Sequence, residues 1–235
     1  MLLFDFDGTL SPIVESPADA RPVAGAVGLL EQLADRYRTV GAVSGRPVGF
    51  LASQLPSSLV LSGLYGLESM VDGTAEARTG VEHWRPIVAD AVARAQAADV
   101  EGVVVEPKGF SVTIHFRTNP RSAAAVTRLA AEIAAATGLE ARPAKMSIEL
   151  HPPVESDKGL VVRELTDGAR SVLYVGDDLG DLPAFAALAD LRAEGLATVA
   201  VAVETPELPD EVRGAVDALV DGPTGVVELL RLLAV

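Results

Sequence analysis

The sequence of 235 residues contains no cysteine, and this absence excludes disulfides, thiolate metal sites and a cysteine nucleophile. A chain without cysteine suits the reducing cytoplasm, which is the location that we expect. Aromatic residues make up only 4% of the chain although 49% of it is hydrophobic, so the core must consist mainly of Ala, Val and Leu. Such a core is typical of parallel sheets that are covered by helices.

Positive charge is also scarce, because 19 Lys and Arg residues stand against 33 Asp and Glu residues and leave a formal net charge of −14. Nucleic acids and anionic lipid surfaces attract basic proteins, so we expect neither as a partner. No run approaches the roughly 20 apolar residues of a membrane helix. We also expect no secretory leader, because MLLF is followed at once by Asp5. A small anionic substrate is still allowed where a metal ion or local cations reverse the potential.

Short apolar runs alternate with amphipathic segments near both ends of the chain. The apolar runs are 1–4, 39–43, 171–175 and 197–203. The helix-like segments are 24–36, 47–55, 158–167, 180–190 and 223–233. This alternation predicts an α/β fold with a Rossmann-like parallel sheet and helices on both faces. In such sheets, ligands bind outside the carboxyl ends of the strands.

The middle of the chain has a different pattern. An Ala-rich helix runs to about Asp99, and SVTIHFR alternates apolar and polar residues as a half-exposed antiparallel strand does. The further segments are strands at 100–107, 109–117, 139–144 and 145–152 and a helix at 121–137. We therefore predict an inserted αββαββ cap domain over 85–154, between the two parts of the catalytic core, 1–84 and 155–235.

The first candidate for chemistry is DFDGT, in which Asp5 and Asp7 flank Phe6 directly after an apolar run. Two carboxylates at a strand end can bind one Mg²⁺ ion. One carboxylate can also attack phosphorus and become an aspartyl-phosphate, while the other protonates the departing alkoxide and later activates water. An acidic turn at a strand end is the alternative interpretation.

Two further motifs offer groups that could hold a phosphate. SGRP places Ser44 after a predicted strand, where a hydroxyl and a helix N-terminus can bind an anion. An ordinary helix N-cap would have the same sequence. Lys158 begins a predicted helix, where the helix dipole disfavours a cation. Neutralisation of a phosphate therefore explains this lysine better than a surface position does.

The segment VGDDLGD has three carboxylates in five positions after an apolar strand. These charges would repel one another without a cation, although Asp178 could instead cap the following helix. A Mg²⁺ ion shared by Asp5, Asp7 and Asp177 would account for the acidic residues of both motifs.

At these four motifs the sequence resembles the haloacid dehalogenase superfamily. The resemblance implies that Asp5 is the nucleophile and a metal ligand, and that Asp177 is a second ligand. It implies that Asp7 is the general acid and base and gives its backbone carbonyl to Mg²⁺. Asp178 would act through a metal-bound water or by orienting the lysine. The residues that would hold the phosphoryl oxygens are Ser44 and Lys158.

Over essentially its whole length, the chain resembles the trehalose-6-phosphate phosphatases of that superfamily. The shared segments are DFDGTLSPI, VSGRP, GLYGLE, SVTIHFR, SIELHP and GDDLGDLPAF. The resemblance implies Mg²⁺-dependent hydrolysis of trehalose 6-phosphate with a cap over 85–154, and we expect a monomer. The residues that would contact the sugar are Gly45, Arg46 and Glu68 in the core and Glu106, Lys108 and Glu149 in the cap.

Some positions depart from that family's pattern. Tyr65 stands where the family usually has His, and Gly180 and Leu182 replace Thr and Glu. These changes leave the phosphoryl chemistry intact but leave the sugar open, so the alternatives include another sugar or pseudo-disaccharide phosphate and a phosphomutase reaction. A receiver-like signalling domain is a distant alternative, because it would phosphorylate an Asp after its third strand and has no place for 85–154.

Overall fold

The structure is a computed structural model that describes residues 1–14, 16–144 and 146–235. The chain forms two compact units. The first unit comprises Met1–Glu76 and Ser156–Val235, and the second is the single stretch Ala77–Glu155. It stays a prediction that 1–84 and 155–235 form a catalytic core and that 85–154 forms a cap.

The two units together contain the following strands and helices, of which β6 to β9, α3 and α4 belong to the second unit. The strands are β1 (Leu2–Phe4), β2 (Val40–Val43), β3 (Val60–Gly63), β4 (Glu68–Val71), β5 (Thr74–Ala77), β6 (Val104–Pro107), β7 (Val112–His115), β8 (Glu140–Ala144), β9 (Ser147–His151), β10 (Ser171–Gly176), β11 (Ala197–Glu204) and β12 (Ala218–Asp221). The helices are α1 (Ala26–Arg36), α2 (Val48–Gln54), α3 (Arg85–Ala97), α4 (Ala123–Thr137), α5 (Lys158–Leu165), α6 (Leu182–Ala193), α7 (Asp210–Arg213) and α8 (Gly222–Leu233).

Strand β1 lies inside the larger sheet and is buried on both faces. Leu2 and Phe4 belong to one hydrophobic cluster, whereas Leu3 belongs to the other. Strand β1 pairs in parallel with β10 and β2, so that Phe4 lies opposite Val175 on one side and Ala42 on the other. All three strands therefore end at the same edge of the sheet.

Within the described residues the larger sheet has eight strands in the order β12-β11-β10-β1-β2-β3-β4-β5. Strands β2 to β5 lie on one side of β1, and the later strands β10 to β12 lie on its other side. Beside β1 the strand order reverses, and such a switch point is where open α/β sheets bind ligands. The residues that follow the three strand ends there are Asp5, Ser44 and Asp177, as predicted.

Helices cover both faces of this sheet. One face packs against α1, α2 and α8, and the other packs against α5, α6 and α7. The predicted α/β class with a largely parallel core is confirmed. The sequence interpretation missed β3, β12 and the short α7, together with the antiparallel extension β4 and β5.

The second unit has its own antiparallel sheet in the order β6-β7-β9-β8. One face of that sheet carries Val112, Ile114 and Leu150, which pack with apolar residues of α3 and α4. The predicted αββαββ order is confirmed. The predicted strand 145–152 begins at Lys145, which lies outside the described residues, and β9 occupies Ser147–His151.

Helices of membrane-spanning length and hydropathy are absent from the described part of the chain.

Candidate active site

A buried ion pair joins the first and third motifs. Asp5 follows β1, where its backbone N–H donates to the Val175 carbonyl at 2.8 Å, and it is only 4% exposed. The Lys158 ammonium lies 2.7 Å from Asp5 Oδ1. Helix α5 begins at Lys158 because the Asp157 carboxylate accepts a hydrogen bond from the Leu160 N–H at 2.8 Å. A lysine buried at a helix N-terminus needs anionic partners, and the structure supplies them.

Asp181 is the second anionic partner of this lysine, and the sequence interpretation gave it no role. Its Oδ1 accepts from Lys158 Nζ at 2.7 Å and from the Tyr174 hydroxyl at 2.6 Å. Its Oδ2 accepts from the backbone N–H groups of Asp177 at 2.8 Å and Asp178 at 3.1 Å. A carboxylate has about four lone-pair sites. Asp181 thus uses all of them to fix Lys158 and the 177–178 backbone.

The signal for Asp181 was present in the sequence, because it stands four positions after Asp177 in GDDLGD. Asp178 accepts from the Gly180 N–H at 2.8 Å and forms a capping box with Asp181 over the short 3₁₀ helix Leu179–Asp181. This turn carries Asp181 back under the end of β10. The capping alternative for Asp178 is therefore what the structure has, and its predicted role near the metal stays a prediction.

Three carboxylates converge closely enough to surround one cation. Asp5, Asp177 and Asp181 each offer an oxygen, and these oxygens lie within 4.8 Å of one another. The lone pairs of Asp181 are engaged, so Asp5 and Asp177 have the capacity for a metal ion. Hard oxygen donors of this kind suit Mg²⁺ or Ca²⁺ rather than a soft metal. The residues present therefore fit a divalent cation.

The electrostatics of the site lead to the same conclusion. Burial raises the pKa of Asp5 well above its ordinary value of 3.8, although Lys158 lowers it. Burial, followed by the carboxylates of Asp181 and Asp178, raises the pKa of Asp177 to about 8. Burial opposes the charge of Lys158, but Asp181 and Asp5 raise its pKa well above 10.5. The Asp177 carboxyl group thus keeps a proton near neutral pH, and a divalent cation could take the place of that proton.

The DFDGT turn packs directly against the GDDLGD turn. Gly8 has a φ of +79°, and a Cβ built on it would lie 2.0 Å from Asp177 Oδ2. The Thr9 hydroxyl donates to Asp177 Oδ1 at 3.3 Å. Glycine at position 8 is therefore required both by the backbone conformation and by the contact with the carboxylate.

Asp7 is paired with Arg46, which the sequence interpretation assigned to the sugar. Arg46 Nε donates to Asp7 Oδ2 and Nη2 donates to Asp7 Oδ1, both at 2.7 Å. The guanidinium also donates to the Pro17 carbonyl at 2.8 Å and lies 4.6 Å from the centre of the Phe50 ring. This bidentate contact fixes the orientation of the Asp7 carboxylate.

The SGRP turn is held by the GLYGLE segment. Ser44 is buried and its Oγ accepts from the Arg46 N–H at 3.2 Å, which is an ordinary turn contact. A Cβ on Gly45 would lie 2.7 Å from the hydroxyl oxygen of Tyr65. Glu68, another predicted sugar contact, accepts from the Val48 N–H at 2.6 Å and so caps α2.

Of the three residues predicted to bind sugar from the second unit, Glu106 and Glu149 lie on its sheet and Lys108 directly follows β6. Lys108 Nζ is 3.7 Å from Glu149 Oε1, and the Ser111 hydroxyl donates to the same oxygen at 2.6 Å. Glu106 is hydrogen-bonded to the His115 ring at 2.8 Å. The structure thus brings Lys108 and Glu149 together, while Glu106 is paired with His115.

A mostly parallel sheet with its acidic groups and lysine at the carboxyl edge, together with a separate α/β unit, defines a phosphatase-type fold of the haloacid dehalogenase superfamily. The family model described as trehalose-phosphatase matches residues 3–213. The chain belongs to the trehalose-phosphatase family.

Relatives and solved structures agree with this assignment. The trehalose-phosphate phosphatase of Mycobacterium ulcerans (strain Agy99) is 36% identical over 248 residues, covering 99% of this chain and 61% of that protein. A crystal structure of a trehalose-6-phosphate phosphatase related protein superposes with a TM-score of 0.85 at 24% identity, covering 100% of this chain and 97% of that one. The C-terminal domain of the trehalose-6-phosphate phosphatase of C. albicans superposes with a TM-score of 0.77 at 24% identity, covering 99% of this chain and 91% of that one.

The chain spans about 61% of the length of the curated relative from Mycobacterium ulcerans. The two structural comparisons are below 25% identity and bear on the fold alone.

Proposed function

We propose that the chain is a phosphomonoesterase that hydrolyses trehalose 6-phosphate to trehalose and phosphate. The observation that carries the proposal is the buried Asp5–Lys158 pair beside Asp177 at the carboxyl edge of the sheet. Membership of the trehalose-phosphatase family supports the choice of substrate. Phosphatases for other sugar or pseudo-disaccharide phosphates and a phosphomutase are the alternatives, and they share the first half of the chemistry.

Asp5 is the proposed nucleophile. An Asp5 carboxylate oxygen forms a bond to phosphorus as the bond from phosphorus to the sugar oxygen breaks, and the sugar leaves as an alcohol after taking a proton from Asp7. Asp7 then accepts a proton from water, which attacks the aspartyl-phosphate and releases inorganic phosphate as the bond to Asp5 breaks. Asp7 thereby regains the proton that it gave to the sugar oxygen, and Asp5 is again a carboxylate.

Lys158 is proposed to stabilise the negative charge of the phosphoryl oxygens at the reacting centre. The Lys158 ammonium contacts Asp5 and Asp181, and its third N–H would donate to a phosphoryl oxygen. Ser44 would donate its hydroxyl to a second phosphoryl oxygen. Because Asp181 is itself tied down by Tyr174 and two backbone N–H groups, the lysine is fixed before substrate arrives.

Mg²⁺ is the proposed cofactor, and Asp5, Asp177 and the backbone carbonyl of Asp7 would hold it. When bound, it would neutralise the phosphoryl oxygens and the surrounding carboxylates. Asp178 would support this site from its place in the 3₁₀ turn.

Arg46 has a proposed role in positioning the acid. Its bidentate contact holds Asp7 in one orientation in the absence of substrate. We infer that the pair loosens when the sugar oxygen arrives, so that Asp7 can reach that oxygen while Arg46 contacts the sugar. Apo structures commonly hold catalytic groups in contacts that change in the substrate complex.

The sugar is proposed to bind Glu106, Lys108 and Glu149 of the second unit, together with Gly45, Arg46 and Glu68 of the first. Carboxylates and an ammonium group are suitable partners for sugar hydroxyls, because they accept or donate several hydrogen bonds. A monomeric state, a cytoplasmic location and the absence of a nucleic-acid partner stay predictions, which the net charge of −14 and the lack of cysteine support.

The function is tested by measuring phosphate release from trehalose 6-phosphate, glucose 6-phosphate and sucrose 6-phosphate, with Mg²⁺ and with EDTA. Trehalose 6-phosphate should have the highest kcat/KM, and EDTA should abolish turnover. Asp5→Asn should reduce kcat on the order of a thousandfold or more, as loss of a nucleophile does.

The matched control is Asp190→Asn, which removes an exposed carboxylate from its ion pair with Arg163 and should leave kcat unchanged. Normal turnover by Asp5→Asn would overturn the nucleophile assignment. Higher kcat/KM on one of the other sugar phosphates would overturn the substrate.

A further inference from the structure

A row of polar side chains crosses three neighbouring strands of the second unit. Glu106 on β6 lies opposite Thr113 on β7, and Thr113 lies opposite Glu149 on β9. Residues directly opposite one another project from the same face of a sheet, and neighbouring strands are about 4.8 Å apart. The three side chains therefore form one line across the sheet with the threonine in the middle.

This line lies on the face of the sheet opposite to the one that packs against α3 and α4. Val112 and Ile114 flank Thr113 on β7 and point to the opposite face, where they join the cluster of α3 and α4. Alternation along a strand puts Thr113 on the other side. The polar face is thus distinct from the face that builds the core of this unit.

Both outer members of the row have polar partners. The ring nitrogen Nε2 of His115 lies 2.8 Å from Glu106 Oε2. Ser111 donates to Glu149 Oε1 at 2.6 Å, and Lys108 is within 3.7 Å of the same oxygen. The row is therefore part of a hydrogen-bonded arrangement rather than a set of unrelated surface residues.

The central member is different. Thr113 is only 3% exposed, and its hydroxyl is the one buried side-chain oxygen or nitrogen within the described residues that has no hydrogen-bond partner. A buried hydroxyl without a partner destabilises the folded state. Valine has nearly the same shape and would avoid that penalty, so packing alone does not account for the hydroxyl.

We propose that Thr113 is a specificity-determining residue whose hydroxyl binds a sugar hydroxyl of the substrate between Glu106 and Glu149. This inference rests on the proposed function and deepens it. A threonine hydroxyl donates one hydrogen bond and accepts others, whereas ionised carboxylates only accept. Sugar hydroxyls both donate and accept, so a polyhydroxylated ligand can satisfy all three members of the row at once.

The test measures binding without turnover. Titration calorimetry with trehalose 6-phosphate is carried out on Asp5→Asn and on the double variant that adds Thr113→Val. Loss of one neutral hydrogen bond should raise Kd about threefold to tenfold. Thr113→Ser retains a hydroxyl and should restore most of the affinity. Thr127→Val, which changes an exposed threonine of α4, should leave Kd unchanged.

Two further measurements separate a ligand contact from a structural one. Thr113→Val in the otherwise unchanged protein should keep kcat/KM for p-nitrophenyl phosphate, which has no sugar, and its Tm should equal or exceed that of the parent. An unchanged Kd for trehalose 6-phosphate would overturn the proposal. Equal losses of kcat/KM on trehalose 6-phosphate and on p-nitrophenyl phosphate would also overturn it, as would a lower Tm.

Binding to Asp5→Asn without the Thr113 substitution distinguishes a failure of this inference from a failure of the proposed function. If Asp5→Asn does not bind trehalose 6-phosphate but binds glucose 6-phosphate or sucrose 6-phosphate, the proposed substrate is wrong. The Kd values of Asp5→Asn and of the double variant are then compared for the sugar phosphate that binds. If the parent binds trehalose 6-phosphate and Thr113→Val does so equally well, the proposed function stands and the role of Thr113 is wrong.

Discussion

At the scale of single residues, Gly8 and Asp177 lie so close together that no side chain fits at position 8. The Asp177 carboxylate occupies the space in which a side chain at position 8 would lie. Asp177 cannot retreat freely, because its backbone N–H is bound to Asp181 and its carboxylate to Thr9. A methyl group at position 8 must therefore displace one of the two acidic turns.

Gly8→Ala is accordingly expected to reduce kcat by at least about a hundredfold, the scale reached when catalytic groups shift by an ångström. It should also weaken Mg²⁺ binding measured by calorimetry. Gly73→Ala is the matched control, because Gly73 has a similar φ of +76° but nothing within 4 Å of its Cβ position. Gly73→Ala should lose about 1 kcal/mol of stability from backbone strain. Gly8→Ala should lose more, because a turn must also move, and only Gly8→Ala should lose activity. Full activity of Gly8→Ala would contradict the described contact.

Individual residues also mark the limit of what sequence could predict. Asp5 and Asp177 were identified because acidic pairs directly follow apolar strands. Asp181 was passed over because its importance lies in four donors that converge on it from Lys158, Tyr174 and two backbone groups. The orphan hydroxyl of Thr113 had no sequence signal, since its lack of a partner is a property of packing.

At the scale of secondary-structure elements, α2 has an N-terminus that is capped from elsewhere in the chain. Pro47 occupies its N-cap position and makes no side-chain hydrogen bond. Glu68, the first residue of β4, supplies the missing acceptor to the Val48 N–H. The turn that carries Ser44 is therefore connected through this helix end to the neighbouring antiparallel strand.

Glu68→Ala should lower the free energy of unfolding by about 1 kcal/mol, as loss of an N-cap does. Glu68→Gln keeps an oxygen acceptor and should retain most of that stability, measured by urea denaturation. If both variants are equally destabilised, the charge rather than the cap is important. If Glu68→Gln keeps its stability but raises KM for trehalose 6-phosphate, the carboxylate also contacts the sugar, as the family resemblance implied.

The elements that the sequence predicted correctly were those with a strong apolar signal. Strands β1, β2, β10 and β11 are apolar runs. The four strands of the second unit form two consecutive pairs, β6 with β7 and β8 with β9, and helix α4 lies between the pairs in the sequence. Strands β3 and β12 are four residues long and contain Gly, Ser or Asp, so no pattern distinguishes them from loops. Helix α6 begins at Leu182 rather than near 180, because the capped 3₁₀ turn takes up Leu179–Asp181.

At the scale of the whole molecule, the clustered carboxylates make stability depend on pH and metal. In the metal-free protein the pKa of Asp177 is raised to about 8, and that of Asp5 is raised as well. Between about pH 4 and pH 8 the folded state keeps protons that the unfolded chain releases. Proton linkage then makes the free energy of unfolding fall as pH rises through this window.

Urea denaturation in EDTA from pH 5.5 to pH 8.5 should therefore show decreasing stability, and Asp177→Asn should flatten the slope. Mg²⁺ should stabilise the protein most at the upper end of the range, because cation binding needs the deprotonated carboxylates. Lys158 does not interfere, since its pKa lies above the range in both states. An equal pH slope in the parent and in Asp177→Asn would contradict the shared acidic environment, because the opposing change from His151, whose pKa is lowered by burial, is common to both proteins.

The pairing of Leu3 with Tyr174 has a consequence for biosynthesis. Strand β1 is synthesised before β2 and β10, yet β10 emerges from the ribosome only after all the elements from α1 to α5 have been made. Bringing such distant segments together is slow because of the large loop that must close. The contiguous stretch Ala77–Glu155 has all its pairing partners earlier, so the nascent chain should acquire the smaller sheet before the nucleophile reaches its lysine.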